Sequence, residues 1–251
     1  MIKIGIIVEY NPFHNGHLYH INKIKEMYPD SLIIAVMSGN FTQHGEVSII
    51  NKWDKTEIAL NYGVDLVVEL PFVFATQSAD IFAKASIDIL SALGVDKIVF
   101  GSESNNVSLL NELAHIQLNN NKYDKLVLDY MSEGFNYPTA SSKALFYLTG
   151  KKISESNDIL ALAYVREVIK HGDNIECISI KRNNDFNSVE LNDNMTSATS
   201  IRYALKNGDN VDNYVPEFTL SKLNNLCFTD DLFSLLKYKI LTDKDLSIYQ
   251  T

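Results

Sequence analysis

The chain has 251 residues, 46% of them hydrophobic, and a formal charge of −9. That is enough apolar material for one large core, or one core with an appendage, while the acidic balance excludes a generic polyanion binder and confines any RNA contact to a local basic surface. Two cysteines in no CxxC or metal spacing (Cys177 and Cys227), no apolar run of the roughly eighteen residues that span a membrane, and a Met1 leading straight into a strand together predict a cytoplasmic protein.

Ile4 to Val8 is a near-continuous β-branched run without polar alternation, the pattern of a strand buried on both faces. Asn11-Pro12 breaks it. Leu18, Ile21 and Ile24 then recur at helical spacing, which predicts a helix with His17 in its first turn and His14 just before it. A helix N-terminus presents unpaired N–H groups and the positive end of a dipole, so it holds phosphate, and two imidazoles beside it add movable donors. Such donors suit attack on the α-phosphate of a nucleoside triphosphate, where negative charge builds on the phosphate oxygens. Gly16, without a Cβ, would let a base or ribose approach the backbone. His14, His17 and His20, three apart, also have the look of metal ligands, but no Cys or acidic fourth ligand stands at helical spacing and no metal site is read here. Packed or solvated histidines are the other plain reading.

His14-Asn15-Gly16-His17 is the His-x-Gly-His signature of the nucleotidyltransferase superfamily, and the longer Val8-Glu9-Tyr10-Asn11-Pro12-Phe13-His14-Asn15-Gly16-His17 resembles one branch of it, the bacterial tRNA(Met) cytidine acetate ligase family. The resemblance implies that ATP is held by Ile7-Val8-Glu9-Tyr10-Asn11-Pro12-Phe13-His14-Asn15-Gly16-His17-Leu18-Tyr19-His20, with His14 and His17 catalytic at the α-phosphate and bridging oxygen. It further implies Gly16 and Gly101 at the nucleoside, Asn157 as a nucleotide contact and Arg182 at the phosphates.

Further along, Leu32 to Met37 is a second buried strand, running into the polar loop Ser38-Gly39-Asn40-Phe41-Thr42-Gln43-His44-Gly45-Glu46. A long polar loop beyond a strand's carboxyl end is where α/β folds place ligands. The resemblance continues through it with one departure, His44, where arginine is expected; an imidazole serves a triphosphate only when protonated or as a neutral donor. Lys52 to Asn61 is helical, with Lys52 near its start a candidate phosphate contact. Leu66 to Leu70 is the third strand, closed by Pro71. Ser78 to Leu93 is an amphipathic helix whose core stripe is Ile81, Ala85, Ile89 and Leu93. Lys97 to Phe100 is the fourth strand, followed by Gly101-Ser102-Glu103, a triplet that matches the family at this place.

Asn105 to Gly150 is helical throughout and reads as an insertion over one side of the sheet. Ser156-Asn157 caps a helix from Asp158 to Lys170. Glu176 to Ile180 is the fifth strand, with Lys181 and Arg182 at its carboxyl end to face the triphosphate, and Asn183 to Asn194 reads as a polar, mobile loop. Only three of the 22 basic side chains are arginine, Arg166, Arg182 and Arg202. Where lysine is the default cation, arginine marks places that need its planar fork. Thr196-Ser197-Ala198-Thr199-Ser200-Ile201-Arg202 opens a helix that stops at Gly208. This hydroxyl-rich turn with an arginine resembles the second half of the nucleotidyltransferase signature, with Ser197, Thr199 and Arg202 as contacts to phosphate, pyrophosphate or tRNA. Short helical stretches around Leu220 to Leu226 and Leu232 to Leu241 follow. Members of the resembled family continue into a further helical region that helps to hold tRNA, beside which this chain looks truncated or naturally short.

Apolar strands alternating with helices predict an α/β, Rossmann-like parallel five-stranded sheet with helices on both faces, a helical insertion and a short helical C-terminal extension. The expected division is a nucleotidyltransferase-like ATP-binding domain over 1–208, with its insertion at about 105–150, and the start of a helical region over 209–251. The resemblance implies a ligase in two steps. ATP and acetate give acetyl-adenylate and pyrophosphate, and the acetyl group passes to N4 of the wobble cytidine of elongator tRNA(Met), with Mg2+ accompanying the ATP. The alternative is an adenylyltransferase that moves AMP to a small phosphorylated cofactor precursor, which a phosphate-monoester-dependent pyrophosphate exchange distinguishes from an acetate-dependent one. A module that binds ATP or RNA without turnover is the third reading, and it has no use for transition-state groups at His14 and His17.

Overall fold

Each apolar run read as a strand pairs in parallel with its neighbours in the computed structural model, which describes residues 1–172, 174–182, 196–247 and 249. The strands are β1 (Lys3–Val8), β2 (Leu32–Ser38), β3 (Leu66–Leu70), β4 (Lys97–Ser102) and β5 (Glu176–Lys181), in the spatial order β3-β2-β1-β4-β5. Ile4 and Ile6 point into one core and Ile7 packs against the other, as the two-residue period of a strand requires. β4 runs two residues past the expected Phe100, because Gly101 and Ser102 are in register with Ile180 and Lys181.

The helices are α1 (Asn15–Met27), α2 (Lys52–Asn61), α3 (Phe72–Ala75), α4 (Ala79–Ala92), α5 (Val107–Asn119), α6 (Asn121–Ser132), α7 (Tyr137–Thr149), α8 (Ser156–His171), α9 (Ala198–Asn207), α10 (Glu217–Lys222) and α11 (Phe233–Thr242). α1 and α2 cover one face of the sheet through Ile21, Ile24, Ile58 and Ala59. α4 and α8 cover the other face, and α5 to α7 share that buried cluster through Leu110, Leu113, Tyr123, Val127, Ala140 and Ala144. Burying each such large aliphatic side chain contributes about 1.5–3 kcal/mol over leaving it exposed.

Two local expectations change. Of the stripe read for α4, Ala85 is buried and Ile89 and Leu93 pack against the same core, whereas Ile81 is 41% exposed; the buried face is Phe82, Ala83, Ala85, Ser86, Ile87 and Leu90, broader than a single stripe. Asn157 is not a cap. α8 starts at Ser156, its N-cap is Glu155, and Glu155 makes no side-chain capping bond. The stretch Asn183 to Asn194, read as a loop, lies outside the described residues.

Beyond α9, Phe218, Leu223 and Leu226 pack against the α1–α2 core, and the Phe218 N–H donates to the Tyr62 hydroxyl at 2.9 Å. α11 buries none of its residues. Among the described residues no helix is long and apolar enough to cross a membrane.

Candidate active site

The polypeptide leaves β1 through a tight turn that holds Tyr10 at φ 49°, a left-handed conformation uncommon for a bulky side chain, with its ring buried against Phe13 and His17. His14 then caps α1 from an extended backbone. Its Nδ1 accepts from the Gly16 N–H at 3.0 Å, and the Nδ1 of His17 accepts from the His14 N–H at 3.2 Å. This is a capping box made from two imidazoles.

A ring nitrogen that accepts carries no proton, so in each neutral imidazole the proton sits on Nε2. The rings stack with centroids 3.7 Å apart. Burial drives the pKa of His14 down to about 3, with the Arg182 charge adding to the effect, and it drives His17 well below the ordinary value, helped by His14 and Arg182. His20, one turn on, is lowered to about 4 for the same first reason, and its Nε2 is buried with no hydrogen-bond partner among the described residues. At neutral pH all three are uncharged donors or acceptors. The glycine between them answers to His14: a Cβ at position 16 would meet the His14 ring at 2.9 Å. The space that a Cβ would take is occupied by the protein's own side chain, and Gly16 still lines the cavity.

Opposite the imidazoles stands Arg182, directly after β5. Its NH1 donates to Asn157 Oδ1 at 3.0 Å, and its N–H donates to the Ser102 carbonyl at 3.0 Å. Its Cγ and Cδ lie over Gly101, where a Cβ would meet them at 3.1 and 3.0 Å, so this glycine too makes room for a side chain of the chain itself. Burial lowers Arg182 to about 10, and the Glu103 carboxylate opposes the shift.

A third wall comes from α9 and from the loop after β2. Ser197 caps α9, accepting from the Ser200 N–H at 3.0 Å. Arg202 donates to the Asn11 carbonyl at 2.9 Å and to Glu46 at 3.2 Å, tying the turn after β1 to that loop. Glu9 accepts from the Gln43 N–H at 2.6 Å. Beneath them Lys55 is wholly buried, its ammonium donating to the carbonyls of Glu9, Ser38 and Gly39 at 2.8–2.9 Å. Desolvation lowers it to about 8.

These walls enclose a cavity of about 450 Å3 across the carboxyl ends of β1 and β4. Of the residues read from the sequence, it brings together Ile7, Val8, Glu9, Tyr10, Asn11, His14, Gly16, His17, Tyr19, His20, Gly101, Asn157, Lys181, Arg182, Ser197, Thr199 and Arg202, with His44 at its rim. Five others lie elsewhere. Pro12 is buried, Phe13 stacks on Tyr62 at 5.2 Å, and Leu18 packs into the α1–α2 core. Asn15 faces away, its Nδ2 on the Asn213 carbonyl at 2.9 Å. Lys52 is paired with Glu69 at 2.7 Å. Sequence reading missed the apolar lining supplied by Phe82, Phe100, Leu160 and Tyr164. Nothing distinguishes these from ordinary core positions until the helices are placed. It also missed Lys55, although its spacing to Ile58 and Ala59 puts it on the inner face of α2.

The family described as HIGH Nucleotidyl Transferase matches residues 1–251. A tRNA(Met) cytidine acetate ligase of Fusobacterium nucleatum is 44% identical over 250 residues, covering 95% of this chain and 62% of that protein. One from Mesomycoplasma hyopneumoniae is 40% identical over 216 residues, covering 86% and 68%. Thermotoga maritima TmcAL superposes in its apo form with TM-score 0.90 at 37% identity, covering 97% of this chain and 63% of that one. The same protein bound with alpha-thio ATP superposes with TM-score 0.85 at 37% identity, covering 96% and 61%. The chain thus spans between about three-fifths and two-thirds of the length of these relatives. With the signature histidines at the first helix, a matching sheet and family-wide similarity along its whole length, the chain belongs to the HIGH nucleotidyl transferase family and, within it, to the tRNA(Met) cytidine acetate ligase family.

Proposed function

We propose that this chain activates acetate with ATP as acetyl-adenylate, releasing pyrophosphate, and passes the acetyl group to N4 of the wobble cytidine of elongator tRNA(Met). The names of its relatives and the alpha-thio ATP bound by the Thermotoga protein support the reading. The observation that carries it is the pair of neutral stacked imidazoles locked by the first turn of α1, each with its proton on the nitrogen away from the backbone.

Acetate carries no proton to remove, so the first step needs alignment with the α-phosphorus and no general base. Charge gathers on the α-phosphate oxygens as the bond to the leaving pyrophosphate lengthens. Neutral Nε2–H donors of His14 and His17 fixed beside those oxygens stabilise that charge without reorganising. Arg182 offers a planar fork to the phosphates. Arg202, which donates to the Glu46 carboxylate, contacts the departing pyrophosphate in this reading.

Mg2+ would accompany the triphosphate in this reading and would neutralise part of its charge. Among the described residues no three His, Cys, Asp or Glu side chains converge to hold an ion by themselves. A Mg2+ that keeps its waters and rides on phosphates needs only one or two carboxylates, and Glu9 and Glu46 line the cavity for that. A tRNA substrate puts the protein in the cytoplasm.

The test is incubation with ATP, labelled acetate and total tRNA, followed by nucleoside analysis. Labelled N4-acetylcytidine is expected. Absence of both that product and acetate-dependent pyrophosphate exchange would overturn the reading.

A further inference from the structure

Glu103 does not line the cavity, yet its carboxylate is committed at both oxygens to the residues that do and to the helix that carries them. Oε1 accepts from Asn157 Nδ2 at 2.5 Å, and Oε2 accepts from the Asp158 N–H at 3.0 Å. The second bond satisfies a backbone donor in the first turn of α8, which its own N-cap, Glu155, leaves without a side-chain acceptor. The first has a further consequence. A carboxylate only accepts, so it dictates which end of the Asn157 amide faces it: the NH2 turns to Glu103 and the carbonyl is left for the guanidinium of Arg182, at 3.0 Å.

We propose that Glu103 is a positioning residue for nucleotide binding, acting through the orientation of the Asn157 amide to hold the Arg182 fork toward the triphosphate. The chain of contacts runs from a half-buried carboxylate at the end of β4, through an asparagine in the first turn of α8, to an arginine after β5. Three elements separated by long stretches of sequence thereby deliver one guanidinium to the cavity. The inference rests on the ATP-dependent reading given above.

Glutamine at 103 keeps an oxygen for the Asp158 N–H but turns an NH2 toward the Asn157 NH2. The asparagine must then flip and present donors to Arg182. Aspartate at 157 alone sets two carboxylates face to face. Combined, Glu103→Gln with Asn157→Asp restores every donor to an acceptor: the glutamine NH2 donates to the carboxylate introduced on α8, and that same carboxylate accepts from Arg182.

Calorimetric titration of ATP into the full chain tests this. Each single variant is expected to weaken ATP binding about tenfold or more, the scale of one charge-assisted hydrogen bond, and the double variant to return within about threefold of wild type. A helix-capping role alone predicts no rescue by the swap. Loss in the double variant equal to the product of the two single losses overturns the proposal, as does unchanged affinity in both singles. Should Glu103→Gln lose its helical circular dichroism, the comparison of the double variant with Asn157→Asp carries the test: affinity recovered toward wild type in the double supports the relay, and a double that binds no better than Asn157→Asp ends it. Wild-type chain that binds no ATP would bring down the functional reading, whereas wild type that binds and singles that bind equally well remove only the role of Glu103.

Discussion

His14 and His17 combine two tasks that proteins usually give to different side chains. Each Nδ1 satisfies a backbone donor at the start of α1, and this commitment fixes the proton on Nε2. Replacing His17 with alanine is expected to cut acetate-dependent pyrophosphate exchange at least ~100-fold while ATP affinity, read by titration, stays within a few-fold. Equal losses in rate and affinity would make it a binding residue. The same substitution removes the His17 half of the capping box, leaving the His14 N–H without its acceptor, and costs about 1 kcal/mol of stability. Arg182→Lys should be nearly as damaging to exchange as Arg182→Ala, because a single ammonium cannot hold Asn157 and phosphate with the geometry of a fork; a fully active lysine variant would refute this.

Burial of these imidazoles also sets a pH dependence. In the unfolded chain each titrates near 6.5, whereas the native chain holds His14 neutral to about pH 3 and His20 to about pH 4. Below pH 6.5 the unfolded state therefore binds protons that the native state refuses, and stability falls as pH drops toward the native values. The slope is about 1.4 kcal/mol per pH unit for each fully shifted group. Urea unfolding of the ligand-free chain at about pH 7 and about pH 5 should show a clear loss at the lower pH, smaller in His20→Asn. An unchanged midpoint would mean that the rings are solvated.

At the scale of elements, the site depends on how α2 is fastened beneath it. Lys55 donates all three of its ammonium hydrogens to carbonyls at the ends of β1 and β2, the two strands whose following loops carry His14 and Gln43. Lys55→Met keeps the volume and removes the donors, and about 2–4 kcal/mol of stability should go with them, measured by urea unfolding. A loss below about 0.5 kcal/mol would show that the carbonyls find other partners. Lys52 and Lys55 sit one turn apart in a helix whose ends were plain in the sequence, and reading the phosphate contact at Lys52 followed from its place at the N-terminus. Its partner Glu69, on a separate strand, is what claims it. For Asn157 the sequence read a helix cap, whereas the carboxylate that engages its side chain comes from Glu103, 54 positions away.

Across the whole molecule, the cavity opens where the strand order reverses direction, between β1 and β4. Loops from neighbouring strands diverge to opposite faces there and leave a crevice at the carboxyl edge of the sheet. Ligand binding at such a place ties both halves of the sheet together. ATP at about a hundredfold over its dissociation constant should add about 2.7 kcal/mol of stability, a rise in melting temperature of about 5–10 °C. Arg182→Ala should lose that rise, while Lys151→Ala, whose ion pair with Glu112 lies among the outer helices, should keep it. A shift retained in Arg182→Ala would place the nucleotide elsewhere.

The sequence alone determined the five strands, the sheet type and the place of His14 and His17 at the start of the first helix, because these follow from local periodicity and from a signature within one contiguous stretch. Tertiary structure decided what each polar group is doing. Which nitrogen of His14 bears the proton, that a Cβ at positions 16 and 101 would crowd His14 and Arg182, that Phe82 and Tyr164 line a cavity, and that Glu103 accepts from Asn157 all depend on how side chains meet in space, most of them from partners distant in sequence. Donor and acceptor roles are settled pairwise, and a linear pattern carries only one member of each pair.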